Sequence, residues 1–550
     1  MSEKQLKISD LERQLKSLRS LGGRRKYHYL IEAENSIELV QSLAPQELFL
    51  LIKEVGFLDV SDLIGMATPE QITLCVDMDC WSGDELDDEE SLQWLQMLLC
   101  QKEEDFLRLI DGLDFELLVV MVKKQLTIIS GLESLKDDED LMATRKRFDQ
   151  VYDCEYRNGE VEKLMSNFQD VLFRERQELF LRLMEAVRHE FDLGLQEAVF
   201  EARGGRLGDL GFVDQFEARS LFNYIDPAIF TPEKYRKESF STFVVDDRNI
   251  GLATPDFMLS LAQPQDLLGE LLSTGLSQEL AYEFSFLLNR ALSAEQVDFG
   301  DPNDVARVLE DVYHTLNVAL GYLAGADLDK AEQFLREVYV HTLYQLGFSL
   351  TVELRSRADK ITASSIGPYL DGPDAALINA LSQDKPQFFN GLVDVTRADM
   401  RSFHTWAEVV QVQKELECIE ILPKLFSATG VFSLPTPDQL DLTGCLPEQA
   451  SEVTLSELFL TALANRLMGR DFYPQPIAVA ELLVLHEKVS LTPDGFAALR
   501  SQTHDWLESS FSGTGIFANF CLDIWEQEFC SLAREDVTPE YIGGLIIKLD

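Results

Sequence analysis

Residues 66–72 read Met-Ala-Thr-Pro-Glu-Gln-Ile, and this segment carries the pattern on which the fold prediction rests. A proline is tolerated at the first position of an α-helix, because the N–H group that it lacks would have no partner there. Thr68 and Gln71 stand at the spacing of a capping box, in which each side chain binds the backbone N–H of the other residue. The segment therefore predicts a helix that begins at Pro69.

The same pattern recurs along the chain. Of the 18 prolines, 12 are followed directly by Asp, Glu or Gln, which interact favourably with the N-terminal end of a helix. A threonine precedes the proline at five further places: Thr231, Thr254, Thr436, Thr492 and Thr538. Alternating strand patterns are scarce, and the best strand candidates, residues 242–245 and 545–549, are short. We therefore predict a predominantly all-α fold.

A weak repeat runs through the first third of the chain. Residues 43–48 (LAPQEL) are echoed by residues 66–72, with their prolines 24 positions apart, and further helix starts are predicted near Asp88 and Asp114. Stacked short helices in an N-terminal superhelical repeat region would give this spacing. Several independently capped helices in one bundle would give it equally well.

Length and proline-rich breaks predict a multi-lobed protein. A chain of 550 residues is too long for one ordinary hydrophobic core. We predict a basic amphipathic helix over residues 1–26, a helical-repeat lobe over residues 27–140, a middle helical lobe over residues 141–360 and a C-terminal helical lobe over residues 361–550.

Composition excludes several classes of partner. The chain has 48 Lys and Arg against 95 Asp and Glu, a net charge of -47, which repels phosphate backbones, so no nucleic-acid partner is expected. No segment approaches 18 uncharged apolar residues, so no membrane span is expected either. The eight cysteines form no C-x-x-C pair, which argues against a disulfide framework or a zinc ribbon. These features predict a cytoplasmic protein.

Three segments resemble a known family: residues 76–81 (VDMDCW), 204–211 (GGRLGDLG) and 463–472 (LANRLMGRDF). They are similar to segments of a family of uncharacterised bacterial helical proteins that is classed as a domain of unknown function. The resemblance implies one integrated helical architecture and no assigned activity.

A second resemblance concerns residues 36–125, which have L-x-P-x-x-L helix starts and a Leu/Val-rich run over residues 117–122. This region is similar to the superhelical intracellular domain of bacterial magnesium channels and to the helical repeats of flagellar motor-switch proteins. The lack of a predicted membrane part argues against a channel role.

Residues 204–211 also resemble a phosphate-binding glycine loop. Such a loop follows a strand, whereas this one follows a helix predicted over residues 187–202. We predict that the helix stops at the glycines and that a turn follows.

An acidic run is a candidate cation site: Asp84, Glu85, Asp87, Asp88, Glu89 and Glu90, preceded by Asp77 and Asp79. The spacing fails the EF-hand pattern, because Ser82 stands where the loop glycine should fall. Acidic residues are also favoured in the first turn of a helix. We therefore predict a solvated helix start, and leave open whether the run binds a cation.

Polar residues beside Trp406 form a second candidate site: Arg397, Asp399, Arg401, His404 and Glu408. Placed on one predicted helix, they are dense enough to line a polar cleft between the middle and C-terminal lobes. This arrangement supports one hypothesis, an enzyme or a divalent-metal-dependent sensor.

The competing hypothesis starts from charge asymmetry. Residues 1–26 hold eight Lys and Arg against three acidic residues, a charge of +5, and Arg24, Arg25 and Lys26 end this segment. No Walker loop, nucleophile elbow or H-E-x-x-H motif is present, so we assign no catalytic residue, cofactor or metal ligand. The sequence favours a helical interaction or regulatory protein with an unidentified protein partner, while the oligomeric state stays open.

Overall fold

Helices form most of the computed structural model of this chain, so the predominantly all-α prediction is confirmed. The structure describes residue 14 and residues 23–131, 151–189, 192–237, 266–274, 277–297, 301–490 and 493–549. The predicted basic helix lies outside the described residues except for residues 14 and 23–26. The strand candidate at residues 242–245 also lies outside them.

The described part of the N-terminal region contains eight α-helices and one small hairpin. They are α1 (Gly23–Glu32), α2 (Ser36–Ser42), α3 (Pro45–Val55), α4 (Ser61–Met66), α5 (Pro69–Asp79), β1 (Trp81–Ser82), β2 (Glu85–Leu86), α6 (Asp88–Leu99), α7 (Glu103–Gly112) and α8 (Phe115–Lys123). The predicted starts at Pro45 and Pro69 and near Asp88 and Asp114 are confirmed. The capping box is confirmed as well: Thr68 Oγ1 accepts a hydrogen bond from the Gln71 N–H at 3.1 Å, and Gln71 Oε1 accepts one from the Thr68 N–H at 2.9 Å.

The helices that follow are longer, and a second hairpin precedes them. The elements are β3 (Leu126–Ser130), β4 (Asp153–Tyr156), α9 (Gly159–Glu175), α10 (Gln177–His189), α11 (Asp192–Asp209), α12 (Gln215–Ala218), α13 (Leu267–Thr274), α14 (Gln278–Glu295), α15 (Pro302–Ala324), α16 (Leu328–Glu337) and α17 (Val340–Thr362). Strands β3 and β4 pair antiparallel.

The C-terminal part mixes helices with very short strands. Its elements are α18 (Gly372–Leu381), β5 (Phe388–Phe389), β6 (Met400–Arg401), α19 (Trp406–Ile419), α20 (Leu422–Leu425), β7 (Cys445–Leu446), α21 (Leu455–Leu467), β8 (Ile477–Ala478), α22 (Val479–Ser490), α23 (Pro493–Ser510), α24 (Gly515–Trp525), a π-helical turn (Glu526–Cys530) and β9 (Ile547–Lys548). Strand β9 lies within the predicted strand at residues 545–549 and pairs with β7 and β8.

Not every threonine-proline pair begins an α-helix. Short 3-10 helices begin at Pro232 and Pro437, and Thr538 and Pro539 form a turn. A favourable N-terminal end does not suffice where no packed helical face follows it, because most helix stability in proteins comes from tertiary packing.

The chain packs into two compact units. The first comprises residues 1–223, 229–316 and 323–345, and the second comprises residues 224–228, 317–322 and 346–550. Each unit has its own set of buried apolar side chains.

In the first unit, α2 to α8 (residues 36–123) form a stack in which each helix contacts the next but one along the chain. Side chains of later helices satisfy carbonyl groups at the ends of earlier ones. Gln71 Nε2 of α5 donates to the carbonyl oxygens of Val40 and Leu43, at 3.0 and 2.8 Å, at the end of α2. The Arg108 guanidinium of α7 donates to the carbonyl oxygens at the end of α4. These bonds fix the spacing of successive helices, because a helix end otherwise leaves four carbonyls without partners.

Helix α11 overturns one prediction. The glycine-rich segment does not stop the helix: α11 continues through Gly204, Gly205 and Gly208 and ends at Asp209. The turn follows at Gly211, which has φ of +92°. Tertiary contacts outweigh the low helix propensity of glycine here, because Arg203 and Arg206 lie on this helical stretch and bind Asp77 of α5.

Asp77 is the centre of this contact. Its side chain is 0% exposed, and Arg206 binds both of its oxygens, at 2.6 and 3.0 Å. Arg206 also donates to Asp114 Oδ2 at 3.0 Å, and Asp114 caps α8 by accepting from the Leu117 N–H. Arg203 donates to the Asp77 carbonyl oxygen at 2.8 Å. Arg206 of α11 therefore joins three helices, through Asp77 of α5 and Asp114 at the start of α8.

The core of the second unit is rich in aromatic rings. Phe459 and Phe517 contact each other edge to face at 5.5 Å, and Phe459 also contacts Phe472, which packs on Trp506 at 5.1 Å. Asn465 of α21 is buried and donates to the carbonyl oxygens of residues 461, 473 and 475. Residues 463–465, the first three of the segment at residues 463–472, are therefore part of the packed interior.

We expect Arg206→Met to lower the free energy of unfolding by about 3 kcal/mol, because it leaves the Asp77 carboxylate buried without a counter-ion. Urea unfolding followed by circular dichroism measures the change. The double variant Asp77→Asn with Arg206→Met should recover part of the loss, whereas Arg174→Met, which removes an exposed ion pair with Glu103, should leave the midpoint nearly unchanged. Equal effects of Arg206→Met and Arg174→Met would contradict this role for Asp77.

We expect Gly204→Ala to raise the free energy of unfolding by ~0.5–1 kcal/mol, because a Cβ atom at this helical position would meet no atom within 4 Å. Gly211→Ala is the matched control. Its Cβ would lie 2.9 Å from the Phe286 Cα at a positive φ, so it should destabilise the protein. A lower melting temperature for Gly204→Ala would show that α11 needs its glycine.

Candidate functional site

The five polar residues predicted to share one helix do not do so. Arg397 and Asp399 lie before β6, Arg401 ends β6, His404 precedes α19, and only Glu408 is helical. Helix α19 cannot extend further back, because Thr405 caps it by accepting a hydrogen bond from the Glu408 N–H. The one-helix prediction was wrong, whereas a role for these residues in a functional site stays a prediction.

Three of the five residues meet at the start of α19. The Arg401 guanidinium binds both carboxylate oxygens of Glu408, at 2.6 and 3.1 Å, and Glu408 Oε2 also accepts from the His404 N–H at 2.7 Å. Arg401 lies over the Phe388 ring at 4.7 Å. Burial would raise the pKa of Glu408, but the hydrogen bonds from Arg401 and His404 and the charge of Arg401 hold it below its ordinary value. The group ties the β5–β6 hairpin to α19.

The other two residues form a separate ion pair. Arg397 binds both oxygens of Asp399, at 2.9 and 2.6 Å, and Asn390 Nδ2 donates to Asp399 Oδ2 at 2.7 Å. Hydrogen bonds from Arg397, and then from Asn390, lower the pKa of Asp399 to about 2. A substrate at either site would have to compete with the hydrogen-bond partners that Glu408 and Asp399 already have.

The second half of the acidic run, residues 87–90, is a helix start, as predicted, whereas Asp84 and Glu85 lie in the β1–β2 hairpin. Asp87 caps α6 by accepting from the N–H groups of Glu89 and Glu90, at 2.8 and 2.9 Å. Asp88 pairs with Lys124 and Arg157, at 3.2 and 3.3 Å. In the described part of the chain, no group of three or more His, Cys, Asp or Glu side chains is placed to hold a metal ion.

The basic residues at the start of α1 differ in exposure. Arg24 and Arg25 are exposed, whereas Lys26 is buried with 8% of its surface accessible. Two of the three predicted contact residues are therefore open to a partner.

One feature was missed by the reasoning from sequence. The second unit contains an open cavity of about 600 Å³ beside α23, α24 and the π-helical turn. Arg500, His504 and Glu526 line it together with apolar side chains. Arg500 and His504 lie on α23 and Glu526 lies in the π-helical turn, and the three form no sequence motif, so only the folded chain brings them together.

Replacing Glu408 with Gln tests the group at the start of α19. We expect the free energy of unfolding at pH 7 to fall by about 2 kcal/mol, because Arg401 loses a charged hydrogen-bond partner. The pKa of Glu408 is lowered by folding, so its contribution is present above the ordinary glutamate value of 4.5 and is lost as the pH falls through the folded value. Urea unfolding at pH 7 and at pH 3 should therefore show a smaller difference between wild type and variant at pH 3.

Asp399→Asn, in the exposed pair with Arg397, is the matched control. At pH 7 it should lower the free energy of unfolding less than Glu408→Gln does. A difference between wild type and Glu408→Gln that does not change with pH would exclude the charge of Glu408 as its cause.

Comparison with known proteins supports the first of the two resemblances, to a family classed as a domain of unknown function. No helix among the described residues is both long enough and apolar enough to cross a membrane. No curated protein and no solved structure is detectably similar to the chain. Residues 3–548 match the model of a family described as "Family of unknown function (DUF6178)". Because the match covers nearly the whole chain, the protein belongs to this family of unknown function.

Proposed function

We propose that the protein is a helical interaction protein that works through protein–protein contacts, and that its acidic N-terminal stack binds a basic segment of a partner. The observation that carries the proposal is the charge of residues 36–123, which contain 20 Asp and Glu against 4 Lys and Arg, a balance of -16. Such a surface attracts cationic partners and repels anionic ones.

The few cations of the stack are mostly engaged in its own structure. Lys53 pairs with Asp79 at 2.5 Å, Arg108 caps α4, and Lys123 donates to the Val187 carbonyl oxygen at 2.8 Å. Of the four, only Lys102 is exposed. The positive side chains therefore do little to offset the negative surface.

The carboxylates of the stack, in contrast, mostly face solvent. Twelve of them are exposed: Glu38, Glu54, Asp59, Asp62, Glu70, Asp84, Glu85, Glu89, Glu103, Glu104, Asp111 and Glu116. Three of these twelve pair with arginines that follow the stack in the chain: Glu103 with Arg174, Asp111 with Arg176 and Glu89 with Arg157. The rest of the charge is available for a partner's Lys and Arg side chains.

Two further expectations belong to this proposal. The contacts between alternate helices of the stack support a superhelical repeat, the kind of scaffold that presents a broad binding surface. All eight cysteines are free thiols, which supports a reducing compartment and thus a cytoplasmic location.

A basic probe peptide tests the proposal. Fluorescence anisotropy of a labelled 20-residue amphipathic peptide with six lysines on one face should show saturable binding to the full chain at low ionic strength. We expect the triple variant Glu85→Lys, Glu89→Lys and Glu104→Lys to weaken binding by about 100-fold, because each reversal replaces an attraction of ~0.5 kcal/mol with a repulsion of similar size, ~3 kcal/mol for the three together. Raising the salt concentration should weaken binding to the wild type.

The matched control reverses three exposed carboxylates of the second unit, Asp438→Lys, Glu448→Lys and Glu535→Lys. It changes the net charge equally and should reduce affinity far less. Equal weakening by both triple variants would mean that net charge, and not the stack, attracts the peptide. A partner purified from native extract should show the same dependence on the stack variant, with and without residues 1–26.

A further inference from the structure

The cavity of the second unit has the size of a small-molecule site. Its volume is about 600 Å³, within the range of 300–1,000 Å³ that is usual for ligand pockets. Its walls come from the end of α22, one side of α23, and α24 with the π-helical turn Glu526–Cys530 that continues it. Such π-helical turns are frequent at functional sites, because they shift side chains out of the regular helical spacing.

One side of the cavity is apolar. Val489 and Phe496 line it and are 4% and 8% exposed, so their side chains are anchored in the core of the unit. Cys530 completes this side, and burial raises the pKa of its thiol to about 12, so that it stays protonated and weakly polar at neutral pH. This wall would accept an aromatic or aliphatic group.

The polar part of the lining adjoins this apolar side, with Arg500 beside the Phe496 ring, and carries mainly hydrogen-bond donors. Arg500 and His504 line it one helical turn apart on α23, and Asn519 faces them from α24. Glu526 is the one carboxylate among the lining side chains, and Arg500 Nη2 already donates to it at 2.8 Å. The lining therefore offers more donors than acceptors.

Arg500 is positioned to bind an oxyanion. Its Nη1 donates to Asp523 Oδ1 at 2.6 Å, and its guanidinium lies 5.6 Å from the centre of the Phe496 ring. The carboxylates of Asp523 and Glu526 are both 57% exposed, so water weakens their interaction with Arg500. A guanidinium has five N–H donors, so an incoming carboxylate can bind the remaining N–H groups of Arg500 or displace Glu526.

We infer that this cavity binds a small amphipathic carboxylate, with its apolar body on Phe496 and Val489 and its carboxylate on Arg500. The inference is independent of the acidic stack and of its proposed partner. It assigns the site a ligand class and no chemical reaction.

Paired probe ligands test this assignment. Naphthalene-2-acetate and naphthalene-2-acetamide have the same size and differ in charge, and isothermal titration calorimetry with the full chain measures the affinity of each. We expect the acid to bind at least tenfold more tightly than the amide, because a charged hydrogen bond to arginine is made only by the acid. Arg500→Gln should reduce this preference to under about threefold, with little change in the affinity of the amide.

Other variants distinguish a local effect from a global one. Ala497→Trp, at a lining position on α23, should block both ligands by filling the cavity, and Glu526→Gln should strengthen binding of the acid by freeing Arg500. Arg534→Gln, which removes an exposed arginine that pairs with Glu487 and does not line the cavity, should bind both ligands like the wild type.

Three results would overturn the inference. They are no saturable binding of the acid to the wild type, equal affinities for the acid and the amide, and binding that survives Ala497→Trp. If Arg500→Gln does not fold, the increase expected for Glu526→Gln still decides whether the carboxylate meets Arg500.

Discussion

The need to satisfy backbone groups at helix ends governs this structure. A helix leaves four N–H groups and four carbonyls without partners inside it, and a chain of short helices multiplies such ends. Side chains such as Thr68, Asp87 and Asp114 meet the N–H groups from within their own segment. The side chains of Gln71 and Arg108 donate hydrogen bonds to carbonyl oxygens at the ends of other helices. Local caps thus set where several of the helices begin, while the longer-range caps set how the helices of the first unit stack.

Acidic side chains serve two purposes in the first unit. Some are structural: Asp77 is fully buried and joins α11 to the stack through Arg206, and Asp79 binds Lys53 and the Trp94 indole N–H. Because these contacts use the available cations inside the unit, the exposed carboxylates have few positive neighbours in the stack. The negative surface is therefore a consequence of how the cations are placed, and it is the basis of the proposed preference for a basic partner.

The segments that identify the family turned out to be structural. Residues 76–81 and 204–211 meet through Asp77 and Arg206, and Asn465 of the third segment binds three carbonyl oxygens inside the second unit. The cavity near Arg500 is formed by residues outside these segments, which is why motif reasoning did not find it.

The sequence alone determined the helical class and most helix starts, because proline geometry and capping side chains act over three or four residues, a distance that a local pattern can describe. Prediction from the sequence failed where contacts between residues far apart in the chain decide the structure. Glycines predicted to end a helix lie within α11, because Arg203 and Arg206 bind Asp77 more than 120 residues away. Five polar residues predicted for one helix are divided between a hairpin and α19. Only the tertiary structure decided which charges are buried and which helices enclose the cavity, since both depend on side chains brought together from separate parts of the chain.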